Sequence, residues 1–269
     1  MAAAASAEHP PRRKRFGQHF LHDPAVIARI VRALAPRAGE HLVEIGPGRG
    51  ALTARLLECS GCTLDAIEID RDLAARLRER FAGSPDRMLH ETDALQFDFQ
   101  ALARARGGRL RIVGNLPYNI STPLLFHLLA AAAAIEDLTI MLQRELAARL
   151  SAPPGGRDYG RLTVMLAPAA QVERLFDVGP GAFQPPPRVW SALVRLTLRT
   201  VPPFAVSPHY AALVAAAFAQ RRKTLRNALS QLLTREQISA CGIDPAARPE
   251  TLTPEGFNTL AQALDRACR

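Results

Sequence analysis

From His41 to Arg199 the apolar positions follow two rhythms. Short apolar runs in HLVEIG (41–46), TLDAIEID (63–70), RMLHETDAL (87–95), RLRIVGN (109–115) and DLTIMLQ (137–143) predict strands. Between them ALTARLLE (51–58), RDLAARLRERF (71–81), STPLLFHLLAAAA (121–133) and RELAARL (144–150) carry helical spacing, and Ser121-Thr122 before Pro123 makes a good helix start. Strands alternating with helices imply a parallel sheet covered on both faces. YGRLTVMLAPAAQVERLF (159–176) and VWSALVRLTLR (189–199) read as two longer strands that can form an antiparallel hairpin at the sheet edge. The stretch between them, 179–189, is too rich in proline for regular structure.

At TVPPF (200–204) the composition changes, and the segments 207–220, 222–233, 234–241 and 253–267 that follow are helical in pattern. The expected organisation is a tail over 1–15, an α/β domain over 16–200 and a small helical domain over 205–269. No internal repeat stands out.

Length permits one large and one small domain, since 269 residues bury a proper core. The net charge of +9 favours a polyanionic partner, nucleic acid before an anionic membrane surface. No apolar run approaches the roughly 18 residues of a membrane helix. The first residues, MAAAASAEHPPRRKR, place small residues ahead of charges, the reverse of a secretory signal. The expectation is a cytoplasmic protein with a disordered tail and no membrane association.

Cys59-Ser-Gly-Cys62 raises zinc or redox chemistry. A structural zinc site needs a second ligand pair, and Cys241 and Cys268 stand alone. Ordinary thiols beside a turn, with no metal, is the reading preferred here.

Ligands of open parallel sheets lie beyond the carboxyl ends of the strands. Gly46, Glu68, Asp93 and Asn115 end the first four strands in steps of 22, 25 and 22 residues, which brings all four to one edge. The first loop is Gly46-Pro47-Gly48-Arg49-Gly50, not the G-x-G-x-x-G that cradles a diphosphate. A carboxylate at Glu68 can accept both hydroxyls of a ribose, and one at Asp93 an adenine amine. That suits NAD or S-adenosylmethionine, and the loop spacing favours the second. A sulfonium also gains from the acidic surroundings of Glu44, Glu68 and Asp93, although Glu44, set among apolar neighbours, is equally readable as a buried structural group.

GNLPYNIS (114–121) then acquires a chemical meaning. An exocyclic base amine is a poor nucleophile because its lone pair is delocalised into the ring. The side-chain carbonyl of Asn115 and the backbone carbonyl of Leu116, held by Pro117, can accept its two hydrogens, while Tyr118 offers a flat stacking face. Catalysis would then be alignment and electrostatics, with the proton leaving after the methyl has moved. An Asx turn with a core tyrosine is the bland alternative.

GQHFLHD, VEIGPGRGALT, IEIDRDL, GNLPYNIS, YGRLTVM, FQPPPRVWSALVRL and FAQRRKTLRN together resemble the bacterial 16S ribosomal RNA adenine dimethyltransferases, in the family's order and from about residue 14 to near the C-terminus. The resemblance implies a class I S-adenosylmethionine-dependent methyltransferase fold: Rossmann-like, a seven-stranded, mostly parallel sheet, with a small all-α C-terminal domain. It implies two methyl groups placed on N6 of each of two adjacent adenosines in the 3′-terminal hairpin loop of 16S rRNA, late in small-subunit biogenesis, by a monomer. The donor pocket it implies is His19, Leu21, Gly46, Glu68, Asp93 and Asn115. His19 stands where the family usually has Asn, so its position carries over better than its side chain. Phe183 is implied as a second stacking ring beside Asn115, Leu116, Pro117 and Tyr118.

Two basic groups suit phosphate contacts: Arg12, Arg13, Lys14 and Arg15 in the tail, and Arg221, Arg222, Lys223 and Arg226 at a helix start whose Leu225, Leu229 and Leu232 would face inward. Three other functions compete: a 23S rRNA adenine methyltransferase of the antibiotic-resistance type, a non-catalytic RNA-binding assembly factor, and an NAD dehydrogenase.

Overall fold

A computed structural model describes residues 18–83, 85–220 and 223–267. The tail with Arg12, Arg13, Lys14 and Arg15, and likewise Arg221 and Arg222, lie outside the described residues. The first described elements are β1 (Phe20–Leu21) and α1 (Pro24–Leu34). Alternation follows: β2 (His41–Ile45), α2 (Ala51–Leu56), β3 (Thr63–Glu68), α3 (Arg71–Phe81), β4 (Arg87–Glu91), α4 (Phe99–Arg106), β5 (Leu110–Asn115), α5 (Ser121–Ala130), β6 (Ile135–Gln143) and α6 (Arg144–Ser151). The remainder comprises α7 (Arg161–Leu166), β7 (Ala170–Val178), β8 (Phe183–Gln184), β9 (Ser191–Leu198), α8 (Tyr210–Phe218), α9 (Leu225–Ala228), α10 (Arg235–Ala240) and α11 (Pro254–Ala267).

Seven strands form one sheet in the order β4-β3-β2-β5-β6-β9-β7. The first five run parallel, and β9 and β7 close one side antiparallel, as the hairpin reading expects. Chain direction across the sheet reverses between β2 and β5, the place where an open α/β sheet leaves its crevice. Neighbouring residues on a strand serve opposite faces. Val43, Ile67 and Ile112 join Phe99, Leu124 and Leu128 from α4 and α5, while Leu42, Leu64 and Val113 join Ile30, Leu56 and Leu77 from α1, α2 and α3. Both faces are covered, which is why these strands read as continuous apolar runs.

Helices α1, α3, α4 and α10 start where a side chain supplies a missing acceptor. The Asp23 carboxylate accepts from the amides of Ala25 and Val26 at 2.8 and 3.1 Å, with Pro24 at the first helical position of α1. Asp70 caps α3 in the same way through Asp72 and Leu73. The Asp23 cap, Pro24 and the spacing of Ile27, Ile30 and Leu34 were the signal for α1, which the strand–helix reading left out, as it did α4.

Three segments differ from expectation. Residues 159–176 are not one strand: α7 occupies Arg161–Leu166 and only Ala170–Val178 is extended. Leu162 and Leu166 of α7 pack on the sheet core while Val164 and Met165 pack among the C-terminal helices. Burial on two sides erases the helical stripe that would have betrayed it. Tyr159 joins the same helical cluster and its hydroxyl donates to the Leu252 carbonyl at 2.8 Å. Within the Pro-rich stretch, Phe183–Gln184 pairs antiparallel with Phe20–Leu21. Among the described residues of the helix expected over 222–233, namely 223–233, Leu225–Ala228 alone is helical, because the amides of Leu225 and Arg226 bond the carbonyls of Ala247 and Pro245 instead of an earlier turn. Leu225 and Leu229 do face inward, fully buried.

Gly114 sits where β5 crosses close to β2. A Cβ there would stand 2.4 Å from the Ile45 carbonyl oxygen, a backbone atom that cannot swing aside. Gly114→Ala is expected to cost about 1–3 kcal/mol of stability as overpacking, read as a lowered denaturant midpoint at unchanged slope.

Candidate active site

Beyond the carboxyl ends of β2, β3 and β5 lies a cavity of about 300 Å³. Gly46 follows β2, Glu68 and Asn115 are the last residues of β3 and β5, and Asp93 stands two residues past β4. All four line the cavity, together with His19, Leu21, Leu116, Pro117 and Tyr118. The wall is mainly apolar, with carboxylates at fixed points, the form of a pre-built small-molecule site.

The glycine loop is shaped by Glu68. Its Oε2 accepts from the Gly48 amide and its Oε1 from the Asp70 amide, both at 3.0 Å. Gly48 has φ +58 and a Cβ there would stand 2.9 Å from the Phe20 ring, so the turn has room for glycine alone. Each carboxylate oxygen keeps a second lone pair, so Glu68 can hold the loop and still accept two ribose hydroxyls. Burial pushes the Glu68 carboxyl above its ordinary value, against the two amide hydrogen bonds. Asp93 uses Oδ1 to accept from the Leu95 amide at 2.9 Å, an Asx turn that leaves Oδ2 for a ligand. Ile69, the residue after β3, is 44% exposed and lines the cavity, an apolar shelf for a flat ring that the strand pattern gave no reason to single out.

Glu44 is both cavity wall and buried group, so its two readings converge. It is 2% exposed, and Thr53 Oγ1 donates to its Oε2 at 2.6 Å. Burial raises its pKa from 4.5 to about 7, with Glu68 adding to the shift and the Thr53 hydroxyl opposing it. Below the unfolded value the group is protonated in both states. Between about 4.5 and 7 the folded state holds a proton that the unfolded chain releases, so stability falls as pH rises through this window and levels off above it. Glu44→Gln is expected to remove about 3 kcal/mol of that fall, measured as denaturant midpoints at pH 5 and pH 8.

Asn115 is oriented by a residue far away in sequence. Its Nδ2 donates to the His19 carbonyl at 2.8 Å. A carbonyl can only accept, so the amide nitrogen must face His19, and Oδ1 is left as an acceptor. Next to it, the Leu116 amide donates to the Met141 carbonyl at 3.3 Å, and the Pro117 carbonyl accepts from Ile120 N and Ser121 Oγ at 3.1 and 2.9 Å. Among the described residues no hydrogen bond engages the Leu116 carbonyl. Tyr118 is held by its hydroxyl, 2.6 Å from Ser191 Oγ on β9, and burial raises its pKa. Ser191 carried no signal of its own in the sequence; only the register of β9 beside β6 brings it here.

The contact that orients Asn115 is made by the His19 backbone carbonyl, so it does not depend on the side chain at that position. The ring does something else: Nδ1 lies 2.8 Å from the Pro185 carbonyl oxygen, and its centroid lies 5.7 Å from that of Tyr118. Phe183 does not reach the cavity. It is 2% exposed within the apolar cluster of Leu21, Ile27 and Ile30, because β8 pairs with β1 and directs the ring into the core. The ring that faces Tyr118 is that of His19.

Of the basic residues, Lys223 and Arg226 are described and exposed. Cys59 and Cys62 donate to the Arg55 and Arg37 carbonyls at 3.6 and 3.0 Å, and burial raises both thiol pKa values. Among the described residues no cluster of three or more His, Cys, Asp or Glu is arranged to hold a metal, and no helix is long and apolar enough to cross a membrane.

Comparison with known proteins gives this geometry a context. The family model described as "Ribosomal RNA adenine dimethylase" matches residues 11–266. "Ribosomal RNA small subunit methyltransferase A" from Pseudomonas fluorescens (strain Pf0-1) is 53% identical over 94% of this chain and 93% of its own length. The protein of the same name from Nitrosococcus oceani is 55% identical over 93% of this chain and 95% of its own. Among solved structures, the 23S rRNA methyltransferase ErmE superposes with a TM-score of 0.73 at 29% identity, covering 91% of this chain and 99% of that one.

Proposed function

The chain belongs to the ribosomal RNA adenine dimethylase family, and from that premise we propose that it dimethylates N6 of two adjacent adenosines in the 3′-terminal hairpin loop of 16S rRNA, on a precursor of the 30S subunit. It is an S-adenosylmethionine-dependent methyltransferase. The observation that carries the assignment of roles is the Asn115 amide, turned by the His19 carbonyl so that its oxygen is left to accept.

S-adenosylmethionine, when bound, supplies an electrophilic methyl group on a sulfonium. Glu68 accepts its ribose hydroxyls, Asp93 its adenine amine, and the Gly46–Gly50 turn lets it lie against backbone. Leu21, 8% exposed, and Ile69 supply apolar contact. The acidic lining favours a cation over the neutral product. On the other side, Asn115 Oδ1 and the Leu116 carbonyl accept the two N6 hydrogens of adenine, so the nitrogen lone pair is turned out of conjugation and toward the donor. Pro117 fixes the Leu116 carbonyl, and Tyr118, locked by Ser191, stacks on the base. No general base is needed, because the amine becomes acidic only after it has gained the methyl, and its proton then passes to water. The second methylation repeats this with one hydrogen fewer to hold, which leaves one of the two acceptors free.

Arg12, Arg13, Lys14, Arg15, Arg221, Arg222, Lys223 and Arg226 are assigned to RNA phosphates. The protein works as a cytoplasmic monomer, with an α/β domain over 16–200 and a helical domain over 205–269. Likeness to a 23S rRNA methyltransferase gives a second reading its place in the test. Undermethylated 30S and 50S precursors are incubated separately with labelled S-adenosylmethionine. Label confined to 30S is expected; label confined to 50S reverses the substrate, and label in neither removes the activity.

A further inference from the structure

Trp190 is the chain's one tryptophan, and it is 48% exposed beside an equally open Val189 at 44%. Such a ring costs hydration free energy unless something covers it. The next residue, Ser191, is buried and holds the Tyr118 hydroxyl at 2.6 Å. Successive side chains of an extended segment point to opposite sides, so Ser191 turns in toward the stacking tyrosine and Trp190 turns out to the rim beside it.

The indole is held in place. Its six-membered ring lies close to Gly179, where a Cβ would stand 3.6 Å from the nearest ring atom, and the Arg144 amide donates to the Trp190 carbonyl at 2.9 Å. The Arg144 guanidinium lies 5.7 Å from the indole centroid, close enough for a cation–π contact. Arg144 and Arg188 are exposed, and neither forms an ion pair among the described residues. A second hollow, of about 450 Å³, is walled by His19, Tyr118, Gln143 and the run Pro185–Val189 that leads directly into Trp190. It shares His19 and Tyr118 with the main cavity, so it opens on the place where the target base must enter.

An exposed flat ring with nearby guanidinium groups that form no ion pair is the pattern that holds single-stranded nucleic acid. We infer that Trp190 stacks a nucleobase adjacent to the adenosine being methylated, with Arg144 and Arg188 on the neighbouring phosphates. This rests on the function proposed above and deepens it: with two adjacent targets, the base not in the cavity needs a fixed resting place. Trp190 is thus a positioning residue, outside the donor pocket.

Because the chain has a single tryptophan, its emission reports the site directly. A protein-free RNA hairpin with two adjacent loop adenosines is titrated into the protein, with binding followed by anisotropy of a label on the RNA, and the indole emission is expected to be quenched in step. On undermethylated 30S particles, Trp190→Ala is expected to raise KM about five- to a hundredfold with kcat little changed, and Trp190→Phe to restore most of it. A merely structural role would lower the thermal midpoint and spare the KM-to-kcat split. Unchanged emission at hairpin saturation, or a wild-type KM in Trp190→Ala, overturns the inference. Methylation intact with either of those results sinks the stacking site alone; quenching intact without adenosine methylation sinks the function and keeps the site.

Discussion

Asn115→Ala should lower kcat for methyl transfer by about 10²–10³-fold, the usual cost of removing one oriented group that acts in the transition state. The cavity otherwise stays whole: Glu68 still holds Gly48 at 3.0 Å, Asp93 still holds its turn, and Tyr118 keeps Ser191. S-adenosylmethionine binding, measured by calorimetry, is therefore expected to change by less than about tenfold, and RNA binding hardly at all. Asn115→Asp separates orientation from charge. A carboxylate has no hydrogen to give the His19 carbonyl, which Asn115 contacts at 2.8 Å, so the side chain must turn away. It should be nearly as inactive as Ala despite keeping an acceptor oxygen. Single-turnover rates on 30S particles check both variants; an Asn115→Ala rate within a few-fold of wild type would remove the proposed role.

The second large effect lies at the opposite end of the same strand. Arg111, early in β5, faces Asp137 across the β5–β6 pair with two hydrogen bonds, at 3.1 and 2.8 Å. Nη2, which donates to Asp137, also donates to the Leu34 carbonyl at 2.7 Å, and Nη1 donates to Glu40 at 2.6 Å. The side chains of Arg111 and Asp137 are 8% and 9% exposed. Burial opposes the charge on Arg111, yet the bonds to Asp137 and Glu40 outweigh it and hold its pKa above the ordinary arginine value. Arg111→Leu leaves Asp137 buried without its counter-charge and is expected to cost about 3–5 kcal/mol, seen in equilibrium denaturation. Pairing it with Asp137→Leu should recover much of the loss, because a packed apolar pair replaces ions whose desolvation was never free. The double variant should methylate at a near-normal rate per folded molecule, since the site lies at the other edge of the sheet.

What the sequence disclosed follows from what is local. Gly46, Glu68, Asp93 and Asn115 end successive strands, and strand–helix units of similar length necessarily return them to one edge; the cavity they line was readable in advance. The contacts that finish the site are not local. Asn115 is oriented by a carbonyl 96 positions earlier and Tyr118 by a hydroxyl 73 positions later, and no periodicity encodes either. Phe183 shows the opposite error: a motif carried over by resemblance named a ring, while the pairing of β8 with β1 decides that this ring is core. Segment 159–176 misled because α7 is apolar toward the sheet and toward the C-terminal helices at once, which leaves no polar face to set the period. Arg111 is a single charge within an apolar strand pattern, and only the neighbouring strand reveals its partner.

On the proposed mechanism β5 ends in a clamp for the amine of adenine, used on two neighbouring bases of one RNA loop. Its most direct test is mass mapping of the RNA from undermethylated 30S particles after incubation with the protein and S-adenosylmethionine. N6,N6-dimethyladenosine at two adjacent positions of the 3′-terminal hairpin loop of 16S rRNA is the expected result. Methyl groups on another base, on a ribose, or on adenosines elsewhere in the RNA would contradict it.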